Sequence, residues 1–334
     1  MPEWPTASAE TVDEIKKGDG VEKEFSAEKG SEVEIAMMFI RHGERTPEGT
    51  LTDYGREITK EKAEQAEQEG IFKNGFDVVK PLGSPAGPKT SVEVQDMSEN
   101  QEETKSQDMS RATETAHIFG SKLAEASGYE LLNTRNKPAL SFETVKNKMP
   151  YNHTQIYNSL LPENFASLSD IEKSQAAKQA QIQTVNHLMN LNTPEAIAYK
   201  EEVAGAYAYT IMHYEEMTKK LKSGSKVLMP TGVHSPMMEV FLQKVLARKN
   251  ENGETTIGFD DITEIGGEFD PSEGYLVKVK TDENGKLLPL HFTFVNQNRP
   301  KSQEMYLDPV KIQEFADLYK NLHKKELGDS PEVV

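Results

Sequence analysis

The residues of this 334-residue chain with the clearest chemical potential stand together in Arg41-His42-Gly43-Glu44-Arg45-Thr46-Pro47. Two arginines flank one histidine within five residues. A neutral imidazole can attack phosphorus as a nucleophile, while guanidiniums offer paired N–H groups that match phosphoryl oxygens. Arginine is otherwise scarce, since only seven of the 38 basic residues are Arg. Lysine meets the ordinary demand for solubility, so where Arg stands its planar fork is expected to be needed.

Two later segments extend the pattern. Ser110-Arg111-Ala112-Thr113-Glu114-Thr115-Ala116 puts an arginine in the first turn of a helix, where side chain and helix N-terminus can meet an anion jointly. Thr231-Gly232-Val233-His234-Ser235 puts a second histidine at a strand-to-helix turn. His42 and His234 thus share one topological place, the C-terminal edge of a sheet, where open α/β folds bind ligands. The other six histidines read as structural or exposed. The plain alternative for residues 41–47 is a charged loop after a strand.

The elements that must position these residues are legible to differing degrees. Val33–Ile40 is a nearly continuous apolar run, the pattern of a strand covered on both faces. Thr52 caps a helix over Leu51–Gln68. Phe76–Leu82 is a second apolar run, closed by the turn-rich Gly83–Pro88. Residues 89–108 are polar and acidic and read as an insertion or flexible loop. A helix from Ser110 carries Ala112, Ala116, Phe119 and Leu123 on one stripe.

A strand near Ala139–Val145 and then a helical excursion are expected. Thr193-Pro194-Glu195 opens a long helix that stops at Ser223-Gly224. Lys226–Val233 reads as a strand and Met237–Ala247 as a helix. Asn284-Gly285 marks a hairpin between Tyr275–Lys280 and Leu287–Val295, and Asp308-Pro309 opens the last helix. This order predicts a three-layer α/β/α sandwich with a mostly parallel central sheet and a helical cap insertion. One domain over 32–334 is expected after an extension at 1–31, with insert regions at about 84–108 and 145–192.

Composition bounds the partners. A formal charge of −17 disfavours nucleic acid and anionic membrane, both of which reward a basic face. A dry arginine pocket remains compatible with that charge, because salt screens exposed groups beyond about 8–10 Å. Cysteine is absent, so disulfides, thiolate chemistry and Cys-bound zinc are excluded. Residues 1–31 hold no apolar stretch suited to a signal peptide or anchor, and a cytoplasmic location is expected. No metal-ligand cluster such as H-E-x-x-H occurs, so neither metal nor cofactor is expected. The sequence assigns no oligomeric state.

Taken in order and spacing, the R-H-G box, L-T-x-x-G at Leu51–Gly55, the S-R-A-x-x-T-A segment and the late strand-borne His234 resemble the histidine phosphatase, or phosphoglycerate-mutase-like, superfamily. The resemblance spans roughly residues 33–295. It implies that His42 is phosphorylated, and that Arg41, Arg45, Arg111 and His234 bind phosphate and stabilise the transferring group. R-H-G-x-R-x-P also resembles the acid phosphatase and phytase branch, which typically follows its second His with Asp; Ser235 stands there instead. In the mutase and cytosolic phosphatase branch a Glu beyond the arginine helix supplies the proton. Glu143 in Leu140-Ser141-Phe142-Glu143 is the nearest match, with Glu44 as second choice and a plain surface Glu as the alternative. The expected activity is hydrolysis of a small phosphate monoester. A mutase-like phosphotransferase, a non-catalytic phospho-ligand binder and a scaffold remain open on sequence.

Overall fold

Strand β1 (Glu34–Arg41) explains its own composition: Ile35, Met37 and Phe39 enter one core cluster, and Ala36, Met38 and Ile40 enter another. From Ile35 to Ile40 a period of two with both faces covered leaves no polar position. Each large side chain so buried contributes roughly 1.5–3 kcal/mol. The computed structural model describes residues 29–72, 75–96, 103–249, 252–295, 299 and 305–327. Of the extension at 1–31 only the last three residues fall within that range; there the Ser31 hydroxyl donates to Ser223 Oγ at 2.7 Å.

Beyond β1 come helix α1 (Asp53–Gln68), strands β2 (Val78–Val79) and β3 (Leu82–Gly83), and the antiparallel pair β4 (Lys89–Asp96) and β5 (Glu103–Ser110). Helix α2 (Arg111–Ser127) follows β5 directly, then β6 (Glu130–Leu131) and β7 (Arg135–Asn136). Helices α3 (His153–Leu160) and α4 (Asp170–Asn190) form the insertion, and α5 (Pro194–Thr218) returns to the sheet. Strand β8 (Lys226–Val233), helix α6 (Met237–Val245), β9 (Leu246–Lys249) and β10 (Thr255–Ile257) come next. The remainder is β11 (Gly274–Lys280), β12 (His291–Phe294), β13 (Met305–Leu307), α7 (Pro309–Leu322) and α8 (Lys324–Leu327).

The main sheet runs β12-β11-β1-β8-β2-β6, with β3 also paired to β8 and β7 to β3. From β1 through β8 to β6 the pairings are parallel; β11 and β12 add an antiparallel edge. Helices α1 and α2 cover one face through Ala63, Ala66, Phe119 and Leu123. On the other face α5, α6 and α7 pack through Val203, Tyr207, Phe241 and Phe315, with Phe39 and Tyr207 ring centroids 5.3 Å apart. The sandwich and its mostly parallel sheet are as expected. Among the described residues no helix is long and apolar enough to cross a membrane.

Three local expectations are corrected. Residues 89–96 and 103–110 form a two-stranded ribbon rather than a flexible loop, paired from Lys89–Ser110 to Asp96–Glu103. Ala139–Val145 is no strand: Pro138–Leu140 is a single 3-10 turn, Leu140 faces the core and Phe142 is 40% exposed. The helix from Met237 stops at Val245, because Leu246–Leu307 and Arg248–Met305 pairing draws the next residues into a small sheet.

Candidate active site

Register brings the two histidines together. Strands β1 and β8 run parallel with Arg41 opposite Val233, so the next residue of each leaves the sheet at neighbouring points. The His42 backbone N–H donates to Val233 O at 3.0 Å. The two imidazoles meet edge to face, with centroids 5.2 Å apart. Strand β3 lies on the far side of β8 with Gly83 opposite Gly232, which puts Ser84 at the same edge.

Each imidazole has a defined proton. His42 Nδ1 lies 2.7 Å from Gly43 O, and a carbonyl only accepts, so Nδ1 carries the hydrogen and Nε2 keeps a free lone pair. His234 Nδ1 faces Arg111 Nη2 at 3.5 Å and Nε2 faces Ser84 Oγ at 3.1 Å. Since arginine only donates, Nδ1 accepts and Nε2–H donates to Ser84. Burial, followed by the charges of Arg111, Arg41 and Arg45, pushes His234 down to about 3. Burial, then His234, Arg111 and Arg41, holds His42 well below the usual histidine value. Both rings are therefore neutral at neutral pH.

The arginines arrive from three segments. Arg111 opens α2, whose N-cap Ser110 accepts from the Thr113 N–H at 3.2 Å and donates its hydroxyl to Ser84 O. Arg111 is buried, and its Nη1 donates to Gly49 O at 3.1 Å. Burial and then Arg45 push it down to about 10, with Glu143 acting in the opposite sense. Arg45 is exposed on the loop side, close enough for its charge to act on both Arg111 and His234. Arg41 ends β1 and pairs with Glu268 at 2.7 Å.

The loop between β1 and α1 is tied down from both sides. The Gly43 N–H donates to Thr115 Oγ1 at 3.0 Å, and the Thr115 hydroxyl donates to Arg111 O at 2.8 Å. Thr52 caps α1 by accepting the Gly55 N–H at 2.8 Å, while its own N–H donates to Glu44 O. Gly55 has no substitute here: a Cβ would stand 2.5 Å from Glu44 O. The L-T-x-x-G segment thus seats the His42 loop on α1, and Arg56–Glu114 at 2.7 Å joins α1 to α2.

The two acid candidates sit at the rim. Glu143 is exposed, accepts the Gly87 N–H at 3.0 Å and acts on Arg111 through its charge. Glu44 is exposed and accepts the Thr52 hydroxyl at 3.2 Å. The structure thus gathers His42, His234, Arg41, Arg45 and Arg111, with Glu143 beside them and Glu44 on the α1 side. Among the described residues no group of three or more His, Asp or Glu could hold a metal ion.

Sequence reasoning missed four neighbours. Ser84 holds His234, and only the turn signal after Phe76–Leu82 marked its segment. Phe142 sets its ring 5.0 Å from His234. Glu268 grips Arg41, and Glu239, fully buried on α6, accepts the Phe269 N–H at 3.2 Å. Burial and then the Glu268 charge push Glu239 well above the usual carboxylate range.

No family model and no curated protein matches this chain. Among solved structures it is similar to a mycobacterial glucosyl-3-phosphoglycerate phosphatase, 13% identical, over 78% of this chain and 97% of that chain at a TM-score of 0.34. The same protein with inorganic phosphate gives 13% identity over 77% and 95% at 0.37. Klebsiella sp. ASR1 phytase gives 9% identity over 86% and 95% at 0.38. So distant a likeness carries no substrate or residue role to this chain.

Proposed function

We propose that the chain is a phosphoric monoester hydrolase of histidine-phosphatase type that works through a phosphohistidine on His42 Nε2. The observation that carries this reading is the tautomer: Nδ1–H is engaged by Gly43 O, leaving a neutral Nε2 on a ring that feels the charges of buried Arg111 and half-buried Arg41. The phosphate dianion docks against Arg111, Arg41 and Arg45, whose charges balance the equatorial oxygens. Nε2 attacks in line, the N–P bond forms and the bond to the ester oxygen breaks. Glu143, entering as the acid, gives that oxygen its proton. Water then attacks phosphorus with the Glu143 carboxylate as base, the N–P bond breaks and inorganic phosphate leaves. His234, neutral and held by Ser84, contributes hydrogen bonding without adding charge. The arginines supply the positive charge that a divalent ion would otherwise bring, so chelator should leave the rate nearly unchanged.

The test is direct. Wild type should hydrolyse nitrophenyl phosphate and, quenched during turnover, carry base-stable, acid-labile phosphate. His42→Ala should lose both signals; normal turnover in that variant refutes the reading.

A further inference from the structure

The segment after β10 reaches back to grip Arg41 twice. Arg41 Nη1 pairs with Glu268 Oε1 at 2.7 Å and also donates to the carbonyl of Phe269. Glu268 Oε1 accepts from two further groups, the Ser235 hydroxyl at 2.7 Å and the Gln181 amide at 3.1 Å. A single carboxylate oxygen therefore joins the pocket arginine, the residue after His234 and helix α4. The Glu268 side chain is only 8% exposed, which strengthens these contacts against solvent competition.

Its backbone is fixed just as firmly. Arg299 stacks 3.9 Å over the Phe269 ring and donates to the carbonyls of Ile265, Gly267 and Glu268, each at 2.8 Å. Lys178, also on α4, pairs with Asp270 at 3.4 Å. The clamp is thus anchored on both the sheet side and the insertion side. An arginine left unheld samples many rotamers, and most carry the fork away from its ligand.

We infer that Glu268 is the positioning residue of Arg41: it holds the guanidinium in place and offsets part of its charge, so that the pocket binds a phosphate ester without retaining free phosphate. This rests on the hydrolase reading above. Position and charge separate cleanly because the three side-chain bonds to Arg41, Ser235 and Gln181 all go to Oε1. A glutamine can place its carbonyl oxygen there and accept from Arg41, Ser235 and Gln181, yet it carries no charge. Alanine removes both.

The experiment compares wild type, Glu268→Gln and Glu268→Ala by nitrophenyl phosphate kinetics, inhibition by inorganic phosphate and thermal unfolding. Glu268→Gln should bind inorganic phosphate about fivefold more tightly, with KM falling alongside, because one compensating charge is gone. Glu268→Ala should lose about 10²-fold in kcat/KM through a misplaced Arg41. The Arg41 guanidinium resonances should be sharp and slowly exchanging in wild type and in Glu268→Gln, and broad in Glu268→Ala. Phosphate affinity unchanged or weaker in Glu268→Gln, or kcat/KM near wild type in Glu268→Ala, overturns the inference. A purely structural Glu268 would shift unfolding and leave phosphate affinity alone, which overturns it equally. Should wild type neither hydrolyse the ester nor bind phosphate, the hydrolase reading fails first and takes this inference with it.

Discussion

Thr115 Oγ1 accepts the Gly43 N–H at 3.0 Å, so the helix that carries Arg111 also holds the loop that carries His42. Both partners are buried, and the Thr115 hydroxyl is itself oriented by its bond to Arg111 O. His42 and Arg111 are therefore set relative to each other by one side chain that bonds only to the backbone beside them.

Thr115→Val should expose the value of that link. The isosteric change strands a buried N–H, which costs about 1–3 kcal/mol of stability. The loosened loop should lower kcat by about tenfold while KM moves little, with Thr115→Ser restoring most of it. Urea unfolding and steady-state kinetics on the two variants read both effects. Equal kcat in wild type and Thr115→Val would show that the loop holds itself.

Glu143→Gln should discriminate by leaving group. An alkoxide must be protonated as the P–O bond breaks, whereas nitrophenolate leaves unaided. Alkyl phosphates should slow by about 10²–10⁴-fold and nitrophenyl phosphate far less. Glu44→Gln, on the α1 side of the loop, serves as the comparison. If the leaving-group dependence follows Glu44 instead, the acid lies there.

Stability should fall with pH on the acid side because of His234. Its folded value is about 3 against an unfolded value of about 6.5. Between those limits the unfolded chain binds a proton that the folded chain refuses, so unfolding free energy rises with pH across the window and is flat for this group above it. His42, also depressed by burial, acts with the same sign. Near about pH 5 the His234 contribution to the slope should be about 1.4 kcal/mol per pH unit. Urea titrations of wild type and His234→Gln should differ by that slope; parallel curves would mean that His234 is charged or exposed.

Gly232→Ala tests the contact between β8 and α2. A Cβ at this position would stand 1.8 Å from Ala112 O, so strand and helix must part. The expected loss is about 3 kcal/mol in unfolding free energy, with activity falling because Arg111 and His234 ride on the separating elements. A variant as stable as wild type would show that this packing is soft.

The parts of the site that were legible in sequence are those whose signals are local. Arg41, His42 and Arg45 lie within five residues, and β1 and β8 announce themselves because both faces of each are covered. Ser84 was unreadable, since its role exists only through the pairing of β3 with β8. Glu268 was hidden among 55 acidic residues, and its function comes from a segment returning more than 220 residues after Arg41. Residues 89–94 and 105–108 of the ribbon are half-buried or exposed, so no apolar face marks it. At Leu246 the deciding partner, Leu307, is far along the chain, and tertiary pairing ended a helix that local propensity would have continued.

Strand β1 is near the start of the described chain yet lies between β8 and β11, whose residues begin at Lys226 and Gly274. During synthesis, β1 gains its first sheet bonds only when β8 has been made, and its second neighbour only with β11. The His42 loop is thus made before either strand that flanks β1 and is shaped only after them. Pairings of such long sequence separation carry a high loop-closure cost and slow the folding of the whole chain. An apolar strand awaiting partners is exposed to association with other chains. Chains halted before residue 280 should therefore be aggregation-prone and unable to form the pocket, however intact their His42 segment.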